Sequence, residues 1–150
     1  MATPDRGQDL ANLYLELKQG RFRPLYLLYG DEEFLISQAL EAVQKATLKG
    51  IPADFNFNLY YGKDTDTQRI LESANTLPMM AARRLVILKD AHEVKEAGLE
   101  RLVKYAEKPS PSTVLIMAGG AMGTKKKLLA AVKKSGLVLE LRPLYDRQLR

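Results

Sequence analysis

The sequence predicts an α/β fold: a five-stranded, mainly parallel sheet covered by helices on both faces. Three observations carry that prediction. Strand-like and helix-like patterns alternate five times along the 150 residues. Four of the five strand segments are almost wholly apolar, the pattern of strands buried on both faces. Parallel strands need crossover connections, and helical patterns fill the stretches between them. Hydrophobic residues make up 46% of the chain and charged residues 27%, sufficient for one real core at this length.

The elements follow in order. Leu10, Leu13 and Leu17 recur at helical spacing, predicting a helix over 8–19 that stops at Gly20. The run Leu25–Tyr29 is short, apolar and Gly-terminated, hence a buried strand. Asp31, Glu32 and Glu33 then occupy the first turn of a long helix, where acids favour the dipole's positive end. Ile36, Leu40 and Val43 mark its inner stripe, and it ends by Gly50-Ile51-Pro52. Over 55–61, Phe55, Phe57, Leu59 and Tyr61 alternate with Asn56, Asn58 and Tyr60, a period-2 strand. Thr65 with Gln68 reads as a capping box opening a helix with Ile70, Leu71 and Ala74 inward. Leu85–Leu88 is the third strand, and 93–107 a helix with Leu99, Leu102, Val103 and Ala106 on one face. Pro109 and Pro111 break it before the fourth strand, Thr113–Met117. Thr124 caps a basic helix burying Leu128, Leu129 and Val132, and Leu137–Glu140 is the fifth strand. The last residues, RPLYDRQLR, begin another helical pattern.

Composition removes whole classes of chemistry. There are no cysteines, which excludes disulfides, thiolate zinc sites and thiol catalysis. One histidine excludes a His-rich metal site, and no Ser, Cys or ligand set surrounds His92 in the sequence. No apolar run approaches the ~20 residues that span a bilayer. The N-terminal MATPDRGQDLAN has no basic-then-apolar leader, so the expected location is the cytoplasm, with no membrane partner. The net charge of +5 is uneven: residues 124–150 hold eight Lys/Arg against two Asp/Glu. Lys125, Lys126, Lys127, Lys133 and Lys134 lead that excess. Such a cluster is either a solvated helix face or a contact for an acidic partner.

The first strand, Gly30 and the helix after it form the setting of a nucleotide-binding phosphate loop, but its chemistry is absent. The pattern G-x-x-x-x-G-K-[ST] begun at Gly30 places Leu35 where the second glycine belongs and Ile36 where the lysine belongs; of the four, Gly30 and Ser37 remain. Asp31, Glu32 and Glu33 set carboxylates where phosphate oxygens would lie. The third strand ends in Lys89, where an ATPase places its Mg²⁺-holding aspartate. The fourth ends in Ala118-Gly119, with no polar group to orient a water. The reading is a degenerate phosphate loop with no catalytic, cofactor or metal residues.

Several segments resemble one family: PLYLLYGDEEFLISQAL, YYGKDTD, TLPMMAARRLVILKDAHEV, YAEKPSPSTVLIM and GTKKKLLAAVKKSGLVLELRPLYDRQLR. Together they are similar to the delta subunit of the bacterial DNA polymerase III clamp loader, in order from about Pro24 to Arg150. The resemblance implies an AAA+-like, P-loop NTPase-type domain over 1–142 that does not bind ATP, with strand order 5-1-4-3-2. It implies that 143–150 start the connection to a second, lid domain not contained in this chain. The family's activity is to bind the ring-shaped sliding clamp, the beta subunit, and open one of its interfaces for loading onto primed DNA. The implied subunit is non-catalytic within the polymerase holoenzyme. It works in a hetero-oligomer with other clamp-loader subunits and touches DNA indirectly or weakly.

The same resemblance assigns the clamp contact to Met79 and Met80, flanked by Leu77, Pro78 and Arg83. Other members carry larger aromatic or branched residues in the pair, and methionine's flexible thioether suits adaptable apolar grooves. Following Pro78, the pair is expected at the first turn of a short helix. Neighbours on a helix diverge by about 100°, so at least one should be exposed. From pattern alone a core role for both methionines is the default reading, and it is the resemblance that reverses it. Arg83-Arg84 reads as a solvated helix end or as support for the contact. Lys125, Lys126 and Lys127 are candidates for a DNA or subunit contact. Two other functions stay in view: an active nucleotide-dependent enzyme with an atypical phosphate loop, and a DNA-binding domain using the 125–134 helix.

Overall fold

The computed structural model describes residues 6–123 and 125–142. In chain order these form α1 (Arg6–Lys18), β1 (Leu25–Gly30), α2 (Glu33–Leu48), α3 (Ala53–Asn56), β2 (Phe57–Tyr61), α4 (Thr67–Ala74) and β3 (Arg84–Lys89). A 3-10 turn (Ala91–Glu93), α5 (Glu96–Glu107), β4 (Thr113–Gly119), α6 (Lys126–Ser135) and β5 (Leu137–Leu141) complete them. The strands make one sheet in the order β2-β3-β4-β1-β5, with every neighbouring pair parallel. That is the expected order, read from the opposite edge.

Alternation along each strand sorts side chains to the two faces of the sheet. Leu25 and Leu27 of β1, Val86 and Leu88 of β3, and Leu115 and Met117 of β4 pack against α4, α5 and α6. Their neighbours Tyr26, Leu28, Leu85, Ile87, Val114 and Ile116 face the other way, onto Leu13 and Leu17 of α1 and Ile36, Leu40 and Val43 of α2. Each such large side chain contributes roughly 1.5–3 kcal/mol of burial, which is why the central strands tolerate almost no polar residue. No helix among the described residues is long and apolar enough to cross a membrane.

Local departures from the sequence reading have identifiable causes. The second strand starts at Phe57 rather than residue 55, because residues 53–56 wind into a single helical turn, α3. Asp66, not Thr65, caps α4: its carboxylate accepts the Gln68 backbone N–H at 3.0 Å. Thr65 Oγ1 instead accepts the Tyr61 N–H. The helix expected over 93–107 divides into the 3-10 turn and α5, with Asp90 in the left-handed region before the turn. Leu102 and Ala106 are buried as expected, and Tyr105 joins them. The expected cap Thr124 and the expected connection at 143–150 lie outside the described residues; Lys125 occupies the N-cap position of α6 without a side-chain cap.

Because the sheet is wholly parallel, strand starts gather at one end and strand finishes at the other. The segment between α4 and β3 lies at the starting end. Gly30–Glu32, Lys89–His92 and Gly119–Met122 lie at the finishing end, the place where α/β folds position ligands.

Candidate functional site

At the finishing end a cleft of about 600 Å³ is lined by Gly30, Asp31, Glu33 and Ser37 on one side and Lys89, Asp90, His92 and Gly119-Gly120 on the other. Gly30 has φ +134, and a Cβ there would lie 2.3 Å from the Leu141 carbonyl oxygen, so only glycine fits. The same carbonyl accepts the Glu32 backbone N–H at 3.3 Å. In a phosphate cradle, such N–H groups point at the ligand; here this one is committed to β5. Three carboxylates, Asp31, Glu33 and Asp90, face the cleft against one lysine, Lys89. His92 Nδ1 accepts the Gly120 N–H at 2.8 Å, and a Cβ on Gly119 would approach that nitrogen to 2.9 Å. The histidine therefore ties the 3-10 turn to the end of β4, a structural role that uses the nitrogen a base would need.

At the starting end, residues 75–83 present a different surface. α4 closes with the Asn75 N–H donating to the Leu71 carbonyl and Thr76 Oγ1 donating to the Glu72 carbonyl at 2.6 Å. The chain then bends through Leu77, Pro78, Met79 and Met80 without forming the short helix expected there. Met80 sits at φ +55, in the left-handed region that no helix can contain. Leu77, Met79 and Met80 are 76%, 53% and 87% exposed, so both methionines are outside the core, not merely one.

The arginines that follow divide. The Arg83 guanidinium stacks 4.1 Å from the centre of the Phe22 ring, a cation–π contact tying the segment to the approach to β1. Arg84 is not a solvated helix end. It opens β3, is buried, and its guanidinium donates to Asn58 Oδ1 on β2.

One residue of this region escaped the sequence reading. Asn56, read as an outward polar position of a strand, is fully buried. Its carboxamide accepts the Met79 backbone N–H at 2.7 Å and donates to the Met79 carbonyl at 2.8 Å. No local pattern signals this, because the partner lies 23 residues away.

Leu77, Pro78, Met79, Met80 and Arg83 lie on one short segment at the starting end, with Arg83 turned to Phe22, and Lys125, Lys126 and Lys127 lie elsewhere. The lysines lie at the start of α6, beyond the finishing end of β4, whereas the methionines precede the start of its neighbour β3. A six-residue strand separates the two ends by on the order of 20 Å. Lys126 and Lys127 are exposed and Lys125 is half-buried.

Comparison with known proteins adds to this geometry. A family model described as DNA polymerase III, delta subunit, matches residues 26–142. The curated DNA polymerase III subunit delta of Bacillus subtilis (strain 168) is 27% identical over 147 residues, covering 91% of this chain and 42% of the relative. Among solved structures, the Bacillus subtilis DNA clamp loader delta protein (YqeN) superposes with a TM-score of 0.80 at 26% identity, over 90% of this chain and 43% of that one. A DNA polymerase III gamma subunit-related protein from Thermotoga maritima gives a TM-score of 0.63 at 16% identity, over 94% and 48% of the two chains, a likeness of fold alone. The chain spans less than half the length of these relatives.

Proposed function

This chain belongs to the DNA polymerase III delta subunit family, and from that premise we propose that it is the AAA+-like domain with which a clamp-loader subunit grips the sliding clamp. The observation that carries the reading is the exposed apolar segment Leu77–Met80 at the starting end of the sheet. Adjacent large apolar side chains held in water incur a hydration cost that a partner groove relieves. A few such anchors dominate most interfaces. The beta subunit is the partner this reading names, with other clamp-loader subunits completing a hetero-oligomer and DNA engaged weakly or through them.

Opening a ring requires no bond chemistry on this chain. A subunit that binds the open clamp more tightly than the closed one shifts the ring toward opening by that difference alone. The finishing-end cleft supports a silent role toward ATP: Leu35 and Ile36 replace the phosphate-loop glycine and lysine, and the Glu32 N–H is already taken. The domain is proposed to occupy residues 1–142, with 143–150 leading toward a lid domain, in a cytoplasmic assembly loading clamps onto primed DNA.

The test is binding of this chain to an immobilised beta clamp. Burying a methionine is worth roughly 1.5–3 kcal/mol, so Met79→Ala/Met80→Ala is expected to weaken binding by about a hundredfold or more. A folded double variant that binds as the parent does refutes the proposal.

A further inference from the structure

Asn56 is fully buried at the end of α3, and its carboxamide closes three hydrogen bonds. Oδ1 accepts the Met79 N–H at 2.7 Å; Nδ2 donates to the Met79 carbonyl at 2.8 Å and to the Pro52 carbonyl at 3.0 Å. Two acceptors on one side and one donor on the other fix the amide's orientation, since a flipped amide would turn oxygen toward two carbonyls. Met79 thereby receives from a side chain the pair of bonds that a neighbouring strand would supply. The next residue, Met80, stands at φ +55 and is 87% exposed, so no packing of its own side chain explains the conformation. A left-handed conformation at a residue bearing a side chain persists where the surroundings over-determine it.

We propose that Asn56 is a positioning residue for the clamp contact: by clamping the Met79 backbone it holds Met80 in its protruding, left-handed conformation before the partner arrives. The role rests on the clamp-binding reading of Leu77, Met79 and Met80. Its benefit is preorganisation. A loop already ordered does not lose that freedom on binding. A loop that visits the competent shape one-tenth to one-hundredth of the time binds about 10- to 100-fold more weakly.

The experiment measures affinity for the immobilised beta clamp and melting temperature for Asn56→Ala, Met80→Ala, their combination and Met79→Ala/Met80→Ala. Hydrogen exchange is followed at the Met79 amide. Asn56→Ala is expected to lose about 10- to 100-fold in affinity, with faster exchange at Met79. In the Met80→Ala background the same change should cost less than it does in the parent, because one of the anchors it orients is gone. Binding by Asn56→Ala within about twofold of the parent, or equal losses in both backgrounds, overturns the positioning role. If Met79→Ala/Met80→Ala binds like the parent, the clamp reading itself has failed, and this role with it. Should Asn56→Ala not fold, Asn56→Leu replaces it: its side chain of similar volume fills the same space and makes none of the three bonds, so the same loss and background dependence are expected.

Discussion

Replacing Met80 with glycine separates the stability of the fold from the proposed contact, because the two should move in opposite directions. Met80 is 87% exposed, so only about an eighth of its side chain is covered. Of the ~1.5–3 kcal/mol that full burial contributes, truncation forfeits a few tenths. Its φ of +55 is left-handed, a conformation costing a side-chain-bearing residue roughly 1–2 kcal/mol and glycine almost nothing. Against this, glycine loosens the unfolded chain by about 0.4–1 kcal/mol. The sum lies between about −0.4 and +1.4 kcal/mol, mostly in favour of Met80→Gly. At roughly 2–4 °C per kcal/mol for a domain of this size, the melting temperature should lie between ~2 °C below and ~6 °C above the parent's. Met80→Ala keeps the strained Cβ and should melt no higher than Met80→Gly. Met117→Ala is the contrast: Met117 is 1% exposed in the middle of β4. Truncation there should cost ~2–5 kcal/mol, a fall of roughly 5–20 °C. Thermal unfolding by circular dichroism and clamp binding on the same samples provide the readout. Met80→Gly should bind the clamp at least about tenfold more weakly, for loss of an anchor worth over ~1.4 kcal/mol. A fall of more than about 5 °C on Met80→Gly refutes the reasoning, since it means Met80 packs where it is read as free.

Three further outcomes follow from the geometry. The Arg23 guanidinium donates to Glu16 from Nε at 3.0 Å and Nη2 at 2.7 Å, and that hydrogen bonding holds the Glu16 carboxyl below its ordinary range. A lowered carboxyl contributes stability above its unfolded value and loses it as pH falls through its folded value. Glu16→Gln should therefore lower the melting temperature by ~1–3 °C at pH 7, with the difference shrinking as pH falls below the ordinary carboxyl range; a difference that stays the same from pH 7 down to acid unfolding contradicts the assignment. Reversing Lys125, Lys126 and Lys127 to glutamate should leave clamp binding within about threefold, because the methionine segment lies beyond the ~10 Å screening length; complete loss in a binding assay would place the interface elsewhere. Millimolar ATP with Mg²⁺ should shift the melting temperature by less than about 1 °C, whereas ligand at a hundredfold over its Kd would add ~2.7 kcal/mol and several degrees.

The apolar runs Leu25–Leu28, Leu85–Leu88 and Thr113–Met117 determined the buried strands, and the helical periods between them determined the crossovers. Those signals are local, since a side chain's face on a strand or helix follows from spacing alone. Strand order and the Met79–Met80 assignment came instead from family resemblance, as no periodicity encodes which strands pair. The missing phosphate-loop glycine and lysine were equally legible, being residue identities at fixed offsets. What the sequence could not express were contacts between distant segments. The alternation Phe57, Leu59, Tyr61 is sound as a strand, but β2 lies at the sheet edge, and Leu59 and Tyr61 stay 40% and 44% exposed. Arg84 looked like a surface charge until β2 brought Asn58 to it. Beside the bend at Met80, Asn56 bonds the Met79 backbone across 23 residues. A hydrogen bond between segments leaves no period in either, so only the folded chain decides where it forms.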